Sequence, residues 1–558
     1  MKHPSKKRQV PSLIESKDLL GVPGKKALEL VLESPTPVTL VQSVAEEDLF
    51  WVVQDLGPED ALPILSLASN DQWQYILDLE LWTQDHLESD SVNRWLGILL
   101  RADPERFLIW GLNEHIELIE LHLARHIDVR IREEDESPSD FQEGYFTVDG
   151  ILYVRIRHEK YDQAIRDLLN SLKEHDINIY RQILLELAGV LPAEVEENMY
   201  RRRNVRLAEK GFLPFEEAIG IYQYLNPESL LEKTSQPYEV KQQYSVDHPI
   251  PVSTSMLIRD PDFFHTSLQQ IDDVGFMEKL QREFASMCNQ LISADSLVVR
   301  DKEHLANVVR KACGYLSIGL DRVTGGNVQQ AAGLLQSFPL DHVFRVGYGM
   351  ALELTWKGNS WLKQSWFAKQ SLDIGFWEED WGGTLQGLLK KRPLSYTGLP
   401  GNELYREFRT LGEIEACHHI LDDVIATDHL LSLLFPECPT AFPVRGNQPL
   451  TFKNLLLTSW ARYHLNISGD ITPLSIEELK ILFMDLWSKP DTPRRVDPGM
   501  KQAFLSWLQE RAGLGIDALE KSAANILDAL FVELDEEYGS VSLKDLDPRY
   551  IKHFLVTQ

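Results

Sequence analysis

The segment that decides the fold is residues 43–58, which read Ser-Val-Ala-Glu-Glu-Asp-Leu-Phe-Trp-Val-Val-Gln-Asp-Leu-Gly-Pro. Its apolar residues recur at helical spacing, so the segment predicts a short amphipathic helix. Ser43 and Glu46 have the spacing of a capping box, in which each side chain bonds a backbone amide at the helix start. We expect Gly57 to end this helix and Pro58 to start the next one.

The same pattern continues to Ile127 and predicts six short helices in succession. Ser69 and Gln72 form a second capping box, and Asp103 and Asn113 are expected to start later helices. Because so short a helix cannot bury its apolar face alone, neighbouring helices must pack on one another. Two architectures satisfy this requirement: an α-solenoid-like helical repeat with a concave binding surface, and an ordinary helical bundle with short turns.

The clearest β signal is Asp149-Gly150, which separates the β-rich runs 145–148 and 151–154. An Asp-Gly pair in this position is typical of a tight type I′ hairpin. Residues 129–131 are a candidate third strand. Helical patterning dominates the rest of the chain, so the sequence predicts a mainly α protein with one small β-hairpin and a larger C-terminal helical domain.

The predicted organisation has five parts, separated where apolar periodicity stops. A polar, proline-bearing stretch at Thr234–Ser255 is the best candidate linker. The parts are a basic tail and first helix (1–38), the helical repeat (39–130), the β-hairpin with helices (131–233), the linker (234–256) and the C-terminal helical domain (257–558).

Composition restricts the classes of partner. The chain of 558 residues has a formal net charge of −29, which argues against a nucleic-acid-binding surface and against docking to an anionic membrane. No apolar stretch is long enough to span a membrane, and the N-terminus lacks the apolar core of a signal peptide. The four cysteines stand far apart, as in proteins of a reducing cytoplasm. The sequence indicates no particular cofactor and leaves the oligomeric state open.

A polar cluster at residues 413–423 is the candidate metal site. Glu415, His418 and Asp422 share one face of a predicted helix. Glu-x-x-His on a helix is the half-site of di-iron carboxylate bundles, but the chain offers no convincing second Glu-x-x-His. The alternative is a solvated or interhelical polar face. Common nucleotide-binding, hydrolase, zinc-protease and kinase motifs are absent from the sequence, so no catalytic residue is predicted.

An aromatic cluster is the candidate ligand-binding site. Acidic residues at 378–380 accompany it, and aromatic rings with acidic neighbours suit a cationic or sugar-like ligand. The alternative is a tryptophan-rich core where helices meet. The tryptophans of this candidate site are Trp361, Trp366, Trp377 and Trp381.

Two resemblances add to these observations. Residues 46–67, from Glu-Glu-Asp-Leu-Phe-Trp to Pro-Ile-Leu-Ser-Leu, resemble the cytosolic N-terminal superhelical domain of MgtE-type magnesium transporters and the helical repeats of flagellar motor switch proteins. The transporter's membrane domain is absent, so magnesium binding is not assigned to any residue. The whole chain, most clearly residues 361–367 and 376–393, resembles an uncharacterised bacterial family of unknown function. That resemblance implies a helical cytosolic protein and no particular activity.

The sequence leaves two hypotheses about function. The leading one is a non-catalytic cytoplasmic scaffold whose N-terminal helical repeat binds another protein. The alternative is a metal- or small-ligand-binding enzyme with its site in the C-terminal helical domain.

Overall fold

Helices dominate the structure, and the strands form only small antiparallel sheets. The computed structural model describes residues 19–83, 85–133, 136, 141–232, 262–297, 302–399, 404–436, 449–469, 471–487, 494–513 and 528–557. The first residues of the basic tail and the predicted linker 234–256 lie outside this part of the chain. Within it, no helix combines the length and the apolar character that a membrane crossing requires.

The chain divides into two compact units. The N-terminal unit consists of Met1–Gln223, Pro227–Leu316 and Val323–Arg345. The C-terminal unit consists of Tyr224–Asn226, Ser317–Arg322 and Val346–Gln558.

Short helices begin the N-terminal unit: α1 Gly24–Glu33, α2 Pro37–Gln42, α3 Glu46–Leu56, α4 Leu62–Leu67, α5 Asn70–Glu80, α6 Ser89–Ala102, α7 Pro104–Glu114 and α8 Ile116–His126. Helices α3 to α8 are the six predicted between residues 43 and 127. Each packs on the next helix or the next but one: α3 on α5, α4 on α6, α6 on α7 and α7 on α8. Trp73, Trp95 and Phe107 are fully buried by this packing.

The first capping box is wrong and the second is confirmed. Ser43 follows α2, and its hydroxyl donates to the Leu40 carbonyl oxygen at 2.8 Å, so α3 begins without a side-chain cap. The Ser69 backbone amide donates to Gln72 Oε1 at 2.7 Å, and the Gln72 amide donates to Ser69 Oγ at 3.2 Å. The difference arises because two adjacent helices compete for Ser43.

Two expected helix starts lie elsewhere. Pro58 falls in a turn before α4, and Asn113 lies inside α7, which ends one residue later. Gly57 does end α3, with a φ of +94° that favours glycine.

A three-stranded antiparallel sheet follows α8. Its strands are β3 Ile127–Ile131, β4 Tyr145–Thr147 and β5 Leu152–Ile156 in the order β3-β5-β4, so the candidate third strand is confirmed. A smaller hairpin, β1 Trp82–Thr83 with β2 His86–Leu87, precedes α6.

The connection between β4 and β5 is longer than a type I′ turn. Thr147 pairs with Tyr153 and β5 begins at Leu152, so residues 148–151 connect the two strands. Asp149 Oδ1 accepts hydrogen bonds from the amides of Ile151 and Leu152 at 3.0 and 2.9 Å, which removes Ile151 from the strand pairing.

The chain continues with α9 Asp162–His175, α10 Ile177–Glu186, α11 Pro192–Glu209, α12 Phe215–Ala218, α13 Glu228–Glu232, α14 Phe263–Leu268, α15 Val274–Asp295, α16 Lys302–Thr324 and α17 Val328–Ser337. Short 3₁₀ turns are Glu159–Tyr161, Leu187–Gly189, Ile219–Tyr222, Ile374–Trp377 and Pro548–Tyr550.

The later elements, which form most of the C-terminal unit from Val346 onwards, are α18 Leu340–Gln364, α19 Trp366–Lys369, α20 Glu378–Leu388, β6 Ser395–Tyr396, β7 Tyr405–Arg406, α21 Leu411–Leu434, α22 Phe452–His464, α23 Ile476–Leu486 and α24 Pro498–Ala512. Residues 528–538 are also helical. Aromatic residues fill the core of this unit, including Trp377, Trp460, Phe483 and Phe504, and the site described next lies at its surface.

Candidate ligand-binding cleft

The four predicted tryptophans do not share one site. Trp361 and Trp366 line a surface cleft of the C-terminal unit. Trp377 is completely buried in the core. Trp381 stacks on Phe452, with ring centroids 4.9 Å apart and an angle of 8° between the rings. Trp361 and Trp366 are themselves only 8% and 4% exposed, so they belong to the core as well as lining the cleft, and the role of the four tryptophans in ligand binding stays a prediction.

The cleft has a volume of about 670 Å³ and lies between α18, α19 and α21. We call it the tryptophan cleft. Its lining residues are Lys357, Ser360, Trp361, Gln364, Ser365, Trp366, Lys369, Gln370, Ile425, Asp428, His429, Ser432 and Pro436.

Asp428 organises the floor of the tryptophan cleft. Its side chain is buried, and its Oδ2 accepts hydrogen bonds from Trp361 Nε1 at 3.2 Å and from the Trp366 amide at 3.1 Å. Its Oδ1 accepts from the Phe367 amide at 2.8 Å. Three N–H donors thus hold one buried carboxylate, an arrangement that offsets the cost of removing it from water. The Trp361 ring and the backbone at Trp366 are fixed in place as a result.

Local sequence explains how these groups meet. Ser365 interrupts the helix between α18 and α19, and its hydroxyl oxygen accepts a hydrogen bond from the Ala368 amide at 3.1 Å. This cap turns the chain so that Trp366 enters the core, where its indole N–H donates to the Phe435 carbonyl at 2.5 Å. The break at Ser365 therefore places two tryptophans, five positions apart, on the same carboxylate.

The walls of the tryptophan cleft are polar and more exposed than its floor. Lys369, Gln364 and His429 present exposed side chains there, and Ile425 adds an apolar surface. The Ser432 hydroxyl donates to the His429 backbone carbonyl at 2.6 Å, so it does not donate to the imidazole ring.

The predicted metal ligands lie on the exposed side of α21, next to the tryptophan cleft. His418 Nδ1 is 3.0 Å from Asp422 Oδ2, whereas Glu415 makes no hydrogen bond with either residue. The Lys357 ammonium contacts Asp422 and lies 3.3 Å from His418 Nε2.

In the described part of the chain, no three His, Cys, Asp or Glu side chains come close enough together to hold a metal ion. The Lys357 ammonium contacts the other imidazole nitrogen, Nε2, and the other carboxylate oxygen, Oδ1, and its positive charge opposes a cation there. The metal site stays a prediction, and this geometry does not favour it.

Cys417 lies on the opposite, buried side of α21. Burial, together with the nearby Glu413 carboxylate, raises the pKa of its thiol to about 11. The thiol is protonated at neutral pH and is therefore a poor nucleophile.

Sequence reasoning missed Asp428, Lys357 and Lys369. A signal for Asp428 was present, because it falls at a position of α21 where the apolar stripe of Val424 and Leu431 predicts another apolar residue. An acidic residue inside such a stripe indicates a buried carboxylate with dedicated donors. The two lysines carried no comparable signal, since surface lysines are common.

The model of a family of unknown function, DUF6178, matches residues 4–557. The chain belongs to this family. No curated protein and no solved structure matches it, so the resemblance of its N-terminal helices to MgtE-type transporters stays a prediction. The match of the DUF6178 family covers both compact units, and it assigns no activity to either.

Proposed function

We propose that this member of the DUF6178 family is a non-catalytic helical binding protein whose ligand site is the tryptophan cleft. The observation that carries the proposal is a preformed concavity of about 670 Å³ with two indole rings in its floor. Sites for small molecules typically measure about 300–1,000 Å³ and combine aromatic surface with a few polar groups.

The rigidity of the floor supports a binding role. Asp428, Trp361 and Trp366 already have their hydrogen bonds within the protein, so a ligand would meet groups that need no reordering. A preorganised site loses less conformational entropy when a ligand binds, and this favours affinity.

The hydroxyl groups of the cleft support a role without catalysis. Ser365 and Ser432 donate to the backbone carbonyls of Leu362 and His429, and neither is paired with a general base. The third hydroxyl, that of Ser360, is exposed and forms no hydrogen bond with any residue that the structure describes. Activation of a hydroxyl nucleophile requires such a base within hydrogen-bonding distance.

The test is a binding screen with the full chain, using small organic acids, amides, amines and sugars as probes and thermal shift followed by calorimetry as readouts. Ser360→Trp would fill the cleft, so we expect it to weaken a bound compound by at least about tenfold. Asn359→Trp is the matched control, because Asn359 is exposed on α18 but does not line the cleft. Failure of all compounds to bind, or equal binding to both variants, would refute the proposal.

A second function, binding of a protein partner through the N-terminal helices, is supported by a depression of about 290 Å³ at α7. Ile109 lines it with 48% of its surface exposed, next to the acidic Glu105 and Glu114. An exposed apolar residue with a polar rim is common in protein interfaces.

Co-purification tests this second function. We expect Ile109→Glu to abolish recovery of a stoichiometric partner, whereas Leu32→Glu should not, since Leu32 is exposed on α1 outside the depression. Recovery of the same partner by Ile109→Glu would exclude this surface.

We also propose a cytoplasmic location. Cys288, Cys313 and Cys417 are buried free thiols, as expected for a protein that folds in a reducing compartment. The formal net charge of −29 repels the phosphates of a nucleic acid, so we propose no nucleic-acid partner.

A further inference from the structure

The charge of the tryptophan cleft is opposite to the charge of the chain. The whole sequence contains 85 acidic and 56 basic residues. The lining of the cleft contains Lys357, Lys369 and His429 but only one acidic residue, Asp428. A locally basic concavity on an acidic protein attracts anions while the remaining surface repels them.

The single carboxylate of the cleft is shielded from a ligand. Asp428 is 5% exposed, and its two oxygens accept three hydrogen bonds from N–H groups of the floor. Because it is buried and these donors cover its oxygens, the carboxylate offers a ligand little accessible surface.

The two lysines differ in availability. Lys357 forms an ion pair with Asp422, so part of its charge is already compensated. Lys369 makes no ion pair with any residue that the structure describes, and its side chain is exposed at the cleft. Lys369 is therefore the cation best placed to bind an incoming negative group.

The remaining lining indicates the rest of the ligand. Ile425 and Pro436 supply most of the apolar surface, since Trp361 and Trp366 are only 8% and 4% exposed, while Gln364 and Ser360 supply neutral hydrogen-bonding groups. Inorganic anions would leave this apolar surface uncovered. An organic molecule with a negative group can contact both the apolar surface and the lysine of the cleft.

Given the function proposed above, on which this step rests, we infer that the tryptophan cleft binds a small organic anion, with its carboxylate or phosphate group at Lys369 and its apolar body against Ile425, Pro436 and the exposed part of Trp361.

The experiment compares probes that share one body and differ in charge: phenylpropanoate and phenyl phosphate as anions, phenylpropanamide as the neutral compound and phenylpropylamine as the cation. Binding to the full chain is measured by calorimetry at low and high salt. We expect an anion to bind best, to weaken with salt, and to lose about tenfold in affinity in Lys369→Gln.

Two matched variants isolate the charge of Lys369. Lys369→Arg keeps the charge and should retain binding of the anion. Lys363→Gln removes an exposed charge of α18 outside the cleft and should have no effect.

The possible failures are distinguishable. If the amide or the amine binds as well as the anions, or if Lys369→Gln leaves anion affinity unchanged, the inference about charge is overturned while the proposed binding function stands. If no probe of any charge binds here and none binds in the wider screen, both are overturned.

Discussion

Two buried carboxylates, one in each unit, show how differently the chain treats the same chemical group. Asp428 of the C-terminal unit is 5% exposed and accepts three hydrogen bonds. Glu47 of the N-terminal unit is 8% exposed, and one of its oxygens lies 3.4 Å from Lys210 Nζ. Its Oε2 has no hydrogen-bond partner within the described residues.

The difference shows that two buried acids can have very different hydrogen-bonding environments. Burial raises the pKa of Glu47 to about 7, and the attraction of Lys210 only partly opposes this effect. The oxygens of Asp428, by contrast, accept hydrogen bonds from three N–H groups. The C-terminal unit therefore uses its acid as a structural acceptor, whereas the N-terminal unit holds an acid that titrates near neutral pH.

Replacement of Asp428 should give the largest effect on stability. Asp428→Ala leaves the Trp361 indole and two backbone amides without an acceptor, and each buried unsatisfied donor costs about 1–3 kcal/mol. We expect the C-terminal unit to lose at least about 3 kcal/mol in urea unfolding, with increased hydrogen exchange in α21.

Asp428→Asn should lie between the wild type and Asp428→Ala, because an amide keeps one acceptor oxygen. Asp422→Ala, a change at a half-exposed acid of the same helix, is the control and should cost less than about 1 kcal/mol. An equal loss of stability in Asp428→Ala and Asp422→Ala would contradict the claim that the three hydrogen bonds to Asp428 stabilise the C-terminal unit.

Glu47→Gln should stabilise the N-terminal unit above pH 7. The folded pKa of about 7 exceeds the ordinary value of 4.5, so stability declines as pH rises from 4.5 to 7 and the penalty is complete above that range. This difference corresponds to about 3 kcal/mol. We expect a gain of this order at pH 8 and almost none at pH 4.5, measured by unfolding at both pH values.

Glu33→Gln provides the control, because Glu33 is exposed on α1. A gain from Glu47→Gln that is the same at both pH values would show that Glu47 does not titrate between them, and it would contradict the prediction.

The buried His126 of the N-terminal unit should lower stability as the pH falls, whereas Glu47 lowers stability as the pH rises. His126 is 6% exposed, and neither ring nitrogen has a hydrogen-bond partner in the described part of the chain. Burial, with the positive neighbours His158, Arg125, Arg157 and Lys160, lowers its pKa to about 4. Because the unfolded histidine takes up a proton near pH 6.5, this contribution to stability is lost as pH falls from 6.5 towards 4.

His126→Phe should therefore reduce the loss of stability between pH 7 and pH 5 by about 1–2 kcal/mol. His86→Phe, at an exposed position of β2, should leave that loss unchanged. The measurement is the melting temperature at the two pH values, and identical shifts in both variants would contradict the prediction.

The smallest effect is expected at the predicted metal ligands. His418 and Asp422 form an exposed ion pair on α21, and such pairs contribute about 0–1 kcal/mol. His418→Ala should change stability by less than about 1 kcal/mol and should not alter the metal content of the purified protein. Stoichiometric metal that disappears in this variant would restore the metal hypothesis.

The sequence predicted local structure better than it predicted contacts. The spacing of apolar residues located helices α3 to α8, because a helix this short must bury one face whatever it packs against. The prediction of a cap at Ser43 was wrong, because the same hydroxyl can form a hydrogen bond at the end of one helix or at the start of the next. The prediction of a type I′ turn at Asp149-Gly150 was wrong, because the Asp149 carboxylate accepts hydrogen bonds from two backbone amides. These bonds are a local alternative to strand pairing.

The candidate site was predictable only in part. The tryptophan cluster was visible in the sequence, but its division between Trp361 and Trp366 in the cleft and Trp377 in the core depends on which way each side chain faces after Ser365 breaks the helix. In the sequence, the lysines of the cleft cannot be distinguished from other surface lysines, because only the fold places them beside a cavity.

By itself, the sequence determined that this is a mainly helical protein of acidic composition, since periodicity and charge are properties of residues close together in the chain. The tertiary structure alone decided that Asp428 would meet Trp361, 67 positions away, and that the two would form the floor of a cleft. Contacts between residues so distant form only when helices pack, because side chains that share no helix face must be brought together by the fold.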